Sequence, residues 1–250
     1  MKKCILIGFQ YSNSNSCVLE DLYLPGILTD LMRIYKRTKI MKCDETIIIS
    51  DIDIVSTIFP KTKSIIYSTG DFEEQIEQCC LDSDQIFFYY TGHAKNGCFI
   101  LPHGRLIQMT TLCEIISESM SIMGQLFCLL DCCNSTGFGL SFKMIKDGSF
   151  QLNKTNSVYK QQILCISSSL ENERSVCTKS GSIFTRNISK LLKHNKKNLL
   201  DIYSNTCSSN KNKIQTTSIT CSHPNVHELW SWIFGKGNLA DEFRCLLFNG

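Results

Sequence analysis

The chain has 250 residues, of which 43% are hydrophobic, 20% are charged and only 4 are proline. This composition suits one sizeable buried core or two closely packed lobes, and it excludes a multi-domain array, global disorder and a collagen-like structure. Lys and Arg number 26 against 23 Asp and Glu, a formal net charge of +3. Because that charge is small, we expect neither nucleic acid nor a membrane as a partner, and the function must come from a local site.

Five short apolar segments have the composition of buried strands. Each is nearly continuous rather than alternating and is rich in β-branched or aromatic residues, which is typical of strands covered on both faces. In chain order they are Cys4–Phe9, Thr46–Ser50, Gln85–Tyr90, Gln125–Leu130 and Gln161–Ser167.

Helical patterns alternate with these strands, and the alternation predicts an α/β fold with a mostly parallel central sheet and helices on both faces. A turn at Pro102–Gly104 adds a small hairpin. The predicted helices are Leu19–Tyr35, Phe72–Cys80 opening at Asp71, Leu112–Met120 opening at Thr110 or Thr111, and Ser182–Leu192. The predicted arms of the hairpin are Cys98–Leu101 and Arg105–Gln108.

A polar stretch divides the chain without marking a second core. Residues 141–160 are rich in Lys, Asn, Ser and Gln and show little periodicity, which is typical of an exposed loop. We therefore expect a single domain over residues 1–250, with a larger region at 1–140, an exposed linker at 141–160 and a smaller region at 161–250. The linker is the expected site of proteolytic nicking.

The cysteines and the first residues bear on the cellular compartment. The chain has 15 cysteines, an odd number, and many lie in apolar segments where a reduced thiol packs as a small hydrophobe. The absence of any Cys-Xaa-Xaa-Cys pair argues against structural zinc. The apolar run Cys4–Phe9 is shorter than the core of a signal peptide, which needs about 7–15 apolar residues, and no run approaches the roughly 18 of a membrane span. We expect a soluble, cytoplasmic protein.

A histidine and a cysteine follow two of the predicted strands. Thr91-Gly92-His93 comes directly after one strand, and Asp131-Cys132-Cys133 comes after the next strand predicted to lie beside it. Ligands of such sheets bind at the carboxyl ends of the strands, and a thiol beside an imidazole suffices for nucleophilic acyl transfer. On these residues alone, an ordinary hydrogen-bonded loop histidine remains the alternative.

Two motifs resemble those of a known family. Phe87–His93 (FFYYTGH) and Leu129–Ser135 (LLDCCNS) resemble the paired catalytic motifs of metacaspases, within the caspase-like cysteine peptidases. The resemblance covers nearly the whole chain, and the absence of Gln-Ala-Cys-Xaa-Gly favours the metacaspase or paracaspase branch over animal caspases. It implies a caspase-like three-layer α/β sandwich. Supporting likenesses are the helix at Val18–Lys36, the Gly181–Thr185 helix start and the Ile214–Thr217 strand.

The resemblance assigns catalytic roles to both motifs. It makes His93 the general acid and base, Cys133 the nucleophile and Cys132 its buried neighbour. It also implies that the backbone N–H groups of Ala94 and Cys133 form the oxyanion hole, where one donor typically contributes about 2.7–4 kcal/mol.

The resemblance also implies a specificity. Asp131 matches the acidic residue at the floor of the first specificity pocket in metacaspases, which implies cleavage after Lys or Arg, because a buried carboxylate favours a cation and rejects an aspartate. A turn-capping role for Asp131 is the alternative. Glu171 and Glu173 are candidates for a second acidic contact with a peptide or protein substrate.

Three departures from the family pattern leave other functions open. Ala94 replaces the glycine usual after the histidine, Asn134 replaces a histidine, and Thr136 is inserted before Gly137. They motivate a second hypothesis, a catalytically weak or inactive caspase-like protein that acts as a decoy or scaffold. An Asp-specific caspase is a third.

Activation and assembly are not fixed by the residues. Self-processing is expected in the 141–160 linker, while the oligomeric state is not indicated. Members of the family often require calcium, but the available acidic pairs form no recognisable ligand loop, and calcium stays open as a cofactor. The candidate cut sites are Lys143, Lys146, Lys154 and Lys160, and the acidic pairs are Asp51 with Asp53 and Asp82 with Asp84.

Overall fold

The computed structural model of the chain describes residues 1–11, 22–67, 70–135, 138–145, 149–153, 158–192 and 215–224. Most of its strands belong to one sheet, and the rest form two small ones. The strands are β1 (Lys2–Gly8), β2 (Glu45–Ser50), β3 (Lys63–Ile66), β4 (Gln85–Thr91), β5 (Ala94–Lys95), β6 (Cys98–Ile100), β7 (Leu106–Gln108), β8 (Gln125–Asp131), β9 (Phe142–Met144), β10 (Phe150–Leu152), β11 (Gln162–Ser167), β12 (Cys177–Thr178), β13 (Gly181–Ser182) and β14 (Ser218–Cys221).

The central sheet of the described residues has nine strands in the order β10-β9-β14-β11-β8-β4-β1-β2-β3. From β3 to β11 all neighbours are parallel. Beyond β11, the strands β14, β9 and β10 are each antiparallel to their neighbour. The five predicted strands are all confirmed, and they supply most of the parallel centre.

Helices cover both faces of this sheet. They are α1 (Ile27–Met41), α2 (Val55–Ile58), α3 (Phe72–Cys80), α4 (Met109–Ser119) and α5 (Ile183–Leu191). Alternate residues of each strand point to opposite faces: Ile5 and Ile7 join the apolar cluster that contains residues of α3 and α4, whereas Cys4 and Leu6 join the cluster that contains residues of α1, α2 and α5. The predicted three-layer α/β sandwich is therefore confirmed.

Two of the described helices, α3 and α5, begin at a capping side chain. Asp71 caps α3 by accepting hydrogen bonds from the N–H groups of Glu73 and Glu74, and the Ser182 hydroxyl accepts from the Thr185 N–H at the start of α5. Helix α1 begins at Ile27, later than predicted, because Leu24 precedes a proline and is disfavoured in helical geometry. None of the described helices is long and apolar enough to cross a membrane.

The predicted exposed linker is partly wrong. Strands β9 and β10 lie within it, pair with each other and extend the sheet beyond β14, and Met144 is buried. Lys143 lies inside β9 between two partner strands, so its peptide bonds are held in the sheet. Lys160 is exposed, whereas Lys146 and Lys154 lie outside the described residues. The hairpin at Cys98–Leu101 and Arg105–Gln108 is confirmed as β6 and β7.

One cysteine pair departs from the expectation of reduced thiols. Cys4 on β1 is joined to Cys43, just before β2, by a disulfide with a Cα–Cα distance of 6.3 Å. The pair is 39 residues apart in sequence, and the chain returns to the same end of β1 through α1. The other described cysteines are free.

The Asp71 cap generates a stability prediction. We expect Asp71→Ala to lower the free energy of unfolding by about 1 kcal/mol, because two N–H groups at the start of α3 lose their acceptor. Urea denaturation followed by circular dichroism measures this change. Asp53→Ala, at an exposed turn, is the matched control and should unfold like the wild type; an equal loss in both variants would show that the cap contributes nothing.

Candidate active site

The register of β4 on β8 brings the His93 and Cys133 loops to the same edge of the sheet. Thr91, the last residue of β4, lies opposite Asp131, the last residue of β8. Beyond this pair, the Gly92 N–H donates to the Asp131 carbonyl oxygen at 3.4 Å. His93 and Cys133 each follow two residues after the Thr91–Asp131 pair, so they leave adjacent parallel strands at the same level.

The His93 ring is oriented by a backbone carbonyl. Its Nε2 lies 2.7 Å from the carbonyl oxygen of Leu22. Since a carbonyl only accepts, Nε2 carries the hydrogen in the neutral ring and Nδ1 keeps a free electron pair. Burial lowers the pKa of His93, and the bond to Leu22 opposes this shift. The neutral form, which can accept a proton at Nδ1, is thus favoured.

The Cys133 thiol lies against the segment that follows β11. Its Sγ accepts a hydrogen bond from the Ser175 N–H at 3.3 Å and lies 4.0 Å from the Ser175 carbonyl oxygen. Cys133 is partly exposed, whereas Cys132 is buried. The Cys132 carbonyl oxygen accepts from the hydroxyls of Ser168 and Ser169 at 3.0 and 2.9 Å. These serines hold the loop so that the second cysteine of the pair faces outward.

Asp131 lies buried behind Cys133. Its Oδ1 accepts from the Ser175 hydroxyl at 2.8 Å, and its Oδ2 accepts from the Thr185 hydroxyl at 2.6 Å and from the Ser182 hydroxyl. Burial raises the pKa of Asp131, and these three hydrogen bonds oppose the shift. Ser175 therefore contacts both the acid and the thiol.

A second buried acid, Asp30 on α1, was missed by the sequence analysis. Its Oδ2 accepts from the Ser182 N–H at 2.7 Å, so Ser182 joins the two carboxylates, and its Oδ1 lies 3.2 Å from Arg33 Nη1. Burial and then the negative charge of Asp131 raise the pKa of Asp30 to about 8. Only its position within a predicted amphipathic helix was visible in sequence, and that position does not distinguish it from a surface residue.

The structure shows why the motif Gly181–Thr185 begins with a glycine. A Cβ there would lie 2.2 Å from Asp30 Oδ1, and the residue adopts φ +92°, a conformation that favours glycine. In Gly181–Thr185, glycine thus leaves room for Asp30, while Ser182 and Thr185 donate to Asp131. Both acids are closed off beneath this segment, since Asp30 is 0% exposed and Asp131 3% exposed.

The predicted residues Glu171 and Glu173 lie near the loop that carries Cys133 and Asn134, in different surroundings. The Glu173 carboxylate accepts from the Thr216 N–H and hydroxyl, each at 2.8 Å, and its carbonyl accepts from the Asn134 N–H at 3.0 Å. Glu173 thereby connects the loop that carries Cys133 and Asn134 to the segment before β14. Glu171 is exposed and lines a cavity of about 480 Å³ with Lys143 and Thr220.

The geometry and the sequence agree with one family. The profile described as caspase domain matches residues 1–226. The chain belongs to the caspase domain family. No curated protein sequence matches the chain.

Solved structures share this fold at low sequence identity. The caspase domain is similar to Caspase-1 from Spodoptera frugiperda, with a TM-score of 0.53 and 12% identity over 89% of this chain and 86% of that chain. It is also similar to protein GSU0716 from Geobacter sulfurreducens, with a TM-score of 0.59 and 11% identity over 88% of this chain and 93% of that chain. At these identities the likeness shows the fold alone.

Ala94 fits its place in this caspase domain without strain. It begins β5, pairs with Phe99 on β6, and has a φ outside the left-handed region.

Asn134, which replaces a histidine of the metacaspase pattern, has φ 50°. Asparagine tolerates that conformation better than most residues, and its Oδ1 accepts from the Asn172 N–H at 2.7 Å. Thr136 lies outside the described residues.

The acidic pairs that were considered for calcium do not fit a calcium site in this caspase domain. The two Asp51 carboxylate oxygens accept from the N–H groups of Gln10 and Tyr11, and Asp84 accepts from the Ser121 hydroxyl at 2.7 Å. Calcium takes 6–8 oxygen ligands. Within the described ranges, no three acidic, histidine or cysteine side chains come together as a metal site.

The raised pKa of Asp30 generates a pH prediction. Folded Asp30 keeps its proton up to a pH of about 8, whereas in the unfolded chain it loses it near 4, so folding is progressively penalised as the pH rises between these values. Asn carries no such penalty. We therefore expect the free energy of unfolding of Asp30→Asn, relative to wild type, to increase from pH 5 to pH 8 by up to about 1.4 kcal/mol per pH unit and then to level off.

Urea denaturation at several pH values measures that difference, and effects of titrating groups distant from Asp30 cancel in it. Asp53→Asn, at the exposed turn, should differ from wild type by the same amount at every pH. A pH-independent difference for Asp30→Asn would contradict the raised pKa.

Proposed function

We propose that this caspase domain is a cysteine endopeptidase of the metacaspase type, which cleaves peptide bonds after Lys or Arg through a thioester intermediate. The observation that carries the proposal is the placement of His93, Cys133 and the buried Asp131 at the carboxyl ends of two adjacent parallel strands. Membership of the caspase domain family supports cysteine peptidase activity. The catalytic dyad of His93 and Cys133 and the specificity for Lys or Arg are our proposal and go beyond that support.

The acylation step follows from the His93 orientation. Nδ1 takes the thiol proton of Cys133, and Sγ forms a bond to the substrate carbonyl carbon while the carbonyl π electrons move to oxygen. The N–H groups of Cys133 and Ala94 are the proposed donors to that oxyanion. The imidazolium then gives its proton to the departing amine as the C–N bond breaks, which leaves a thioester. Leu22 holds the ring throughout by accepting from Nε2.

Deacylation uses the same two groups. A water molecule transfers a proton to Nδ1 as its oxygen attacks the thioester carbonyl carbon, and the C–S bond then breaks. The sulfur leaves as thiolate or recovers the proton from His93, and the carboxylic acid product departs. His93 thus accepts a proton first and donates it afterwards, in acylation and again in deacylation.

The basic specificity is argued from charge. Asp131 and Asp30 are two buried acids, and Asp30, which contacts Arg33, keeps its proton up to a pH of about 8. A lysine or arginine side chain of the substrate supplies a positive charge that pairs with the Asp131 carboxylate, whereas an aspartate adds a second negative charge beside Asp131 and is rejected. Because Asp131 is covered by Ser175 and Ser182, the substrate cation must replace hydroxyl hydrogen bonds, and the segment 175–182 must move to admit it.

The nucleophile assignment predicts the effect of one substitution. We expect Cys133→Ala to lower kcat/KM on an Arg-ending peptide by at least about 10³-fold, because no thiolate remains to form the thioester. Hydrolysis of matched fluorogenic peptides ending in Arg or Asp measures it. Cys98→Ala removes another partly exposed thiol and should retain wild-type activity. If neither peptide is hydrolysed and a peptidyl thiol-reactive probe does not label Cys133, the result would favour the decoy or scaffold hypothesis.

The pocket assignment predicts a change in specificity. Asp131→Asn keeps the shape of the side chain but removes its charge, and we expect kcat/KM on the Arg-ending peptide to fall by about 30-fold or more. Hydrolysis of the Asp-ending peptide should not fall in parallel. Asp53→Asn is the control for loss of one carboxylate elsewhere. A wild-type preference for the Asp-ending peptide would refute the basic specificity while leaving the dyad intact.

A further inference from the structure

We propose that two buried tyrosines, Tyr11 and Tyr90, together with Asp51, position the general base His93. The inference rests on the proposed function, since it concerns how His93 is aimed at the Cys133 thiol. None of the three residues was a candidate for this role in the sequence, and each acts through His93 rather than on the substrate.

The tyrosine hydroxyls hold the backbone of His93 at both ends. Tyr11 Oη accepts from the His93 N–H at 2.8 Å, and Tyr90 Oη donates to the His93 carbonyl oxygen at 2.8 Å. The Tyr11 hydroxyl also donates to the Ile100 carbonyl oxygen at 2.6 Å, so its hydrogen and one electron pair are both used. The Tyr11 ring lies 4.9 Å from the His93 ring, centroid to centroid. Backbone and ring of the base are therefore both in contact with Tyr11.

The glycine of Thr91-Gly92-His93 makes this arrangement possible. A Cβ on Gly92 would lie 2.8 Å from Tyr90 Oη and 3.0 Å from Tyr11 Oη. The two hydroxyls occupy the space that any other side chain at position 92 would need. The glycine is thus explained by close approach of the tyrosines.

Tyr11 is held in a conformation that a large side chain rarely adopts. Its φ is 61°, which is an outlier for a bulky residue. The Asp51 carboxylate accepts from the Gln10 N–H at 2.7 Å and from the Tyr11 N–H at 2.6 Å. These two charge-assisted bonds fix the turn after β1, and such strain persists where the surroundings over-determine it. Asp51 directly follows β2 and Tyr11 follows β1, which is paired with β2. The residue after one strand therefore fixes the position of a residue after the neighbouring strand.

The consequence is a continuous set of contacts from Asp51 through Tyr11 to His93. A general base must lie within hydrogen-bond reach of the proton that it takes, and a displacement of about 1 Å at such a group can reduce the rate by about 10²-fold. The two hydroxyls restrain the His93 peptide after it has left the β4 ladder. They contact neither Asp131 nor Asp30, so they bear on the base and not on the specificity pocket.

The test removes single hydroxyls. We expect Tyr11→Phe and Tyr90→Phe each to lower kcat on an Arg-ending peptide by about 10- to 100-fold with KM within about 2-fold of wild type. Asp51→Asn, which keeps the side-chain shape but loses the charge, should lower kcat in the same direction. Tyr67→Phe is the matched control, because Tyr67 is also a buried tyrosine packed on Phe9; it should retain wild-type kcat.

A second readout does not depend on turnover. The rate of Cys133 alkylation by iodoacetamide is followed by peptide mass spectrometry between pH 6.5 and 9.5 in wild type, His93→Ala and the three positioning variants. At neutral pH we expect the positioning variants to be slowed at least about 3-fold toward the His93→Ala rate. Loss of folding would instead expose Cys133 and accelerate alkylation.

The outcomes separate the two proposals. If His93→Ala slows alkylation and hydrolysis while Tyr11→Phe and Asp51→Asn behave like wild type, the positioning inference is wrong and the dyad stands. If His93→Ala changes neither rate, the dyad itself fails, and the positioning role fails with it. Slowing in the tyrosine variants but not in Tyr67→Phe supports the inference.

Discussion

The parallel pairing of β4 with β8 is the constraint on which the rest of the site depends. Because Thr91 lies opposite Asp131, the two loops leave the sheet at the same level, and the imidazole and the thiol come to one edge. A slip of one residue would turn each side chain of one strand to the opposite face of the sheet. Both strands are fully buried after their first residue, so the two apolar cores, one on each face, hold this register.

The two buried acids, Asp131 and Asp30, lower the stability of the folded chain. A carboxylate removed from water is unfavourable unless it is hydrogen bonded or paired, and here Asp131 and Asp30 are separated only by Ser182, which donates to both. Burial raises the pKa of Asp30, and the negative charge of Asp131 adds to this shift. A hydrophobic pair would fill the same volume without this penalty. The proposed preference for a substrate lysine or arginine gives a functional reason for keeping acids at this place.

The sequence predicted the features that depend on local pattern. Continuous apolar runs located the strands that deliver His93 and Cys133, and the capping residue Asp71 located the start of α3, whereas α4 begins at Met109 and not at the expected Thr110 or Thr111. It could not predict contacts made across the fold: Asp30 looks like any residue of an amphipathic helix, and Asp51 looked like half of an acidic pair until its partners on the β1 turn were seen. The strands β9 and β10 were missed because three residues are too few to show a period.

In the proposed function, Ser175 links the reactivity of the Cys133 thiol to the specificity that we assign to Asp131. Its N–H donates to Cys133 Sγ, and its hydroxyl donates to Asp131 Oδ1, so one residue contacts both the nucleophile and the pocket acid. In the proposed function, a substrate cation that takes the place of the hydroxyl at Asp131 releases one of the contacts that hold Ser175, while the N–H bond of Ser175 to sulfur remains. Filling of the proposed pocket therefore changes the surroundings of the thiol, although Asp131 acts in substrate binding and Cys133 in acylation.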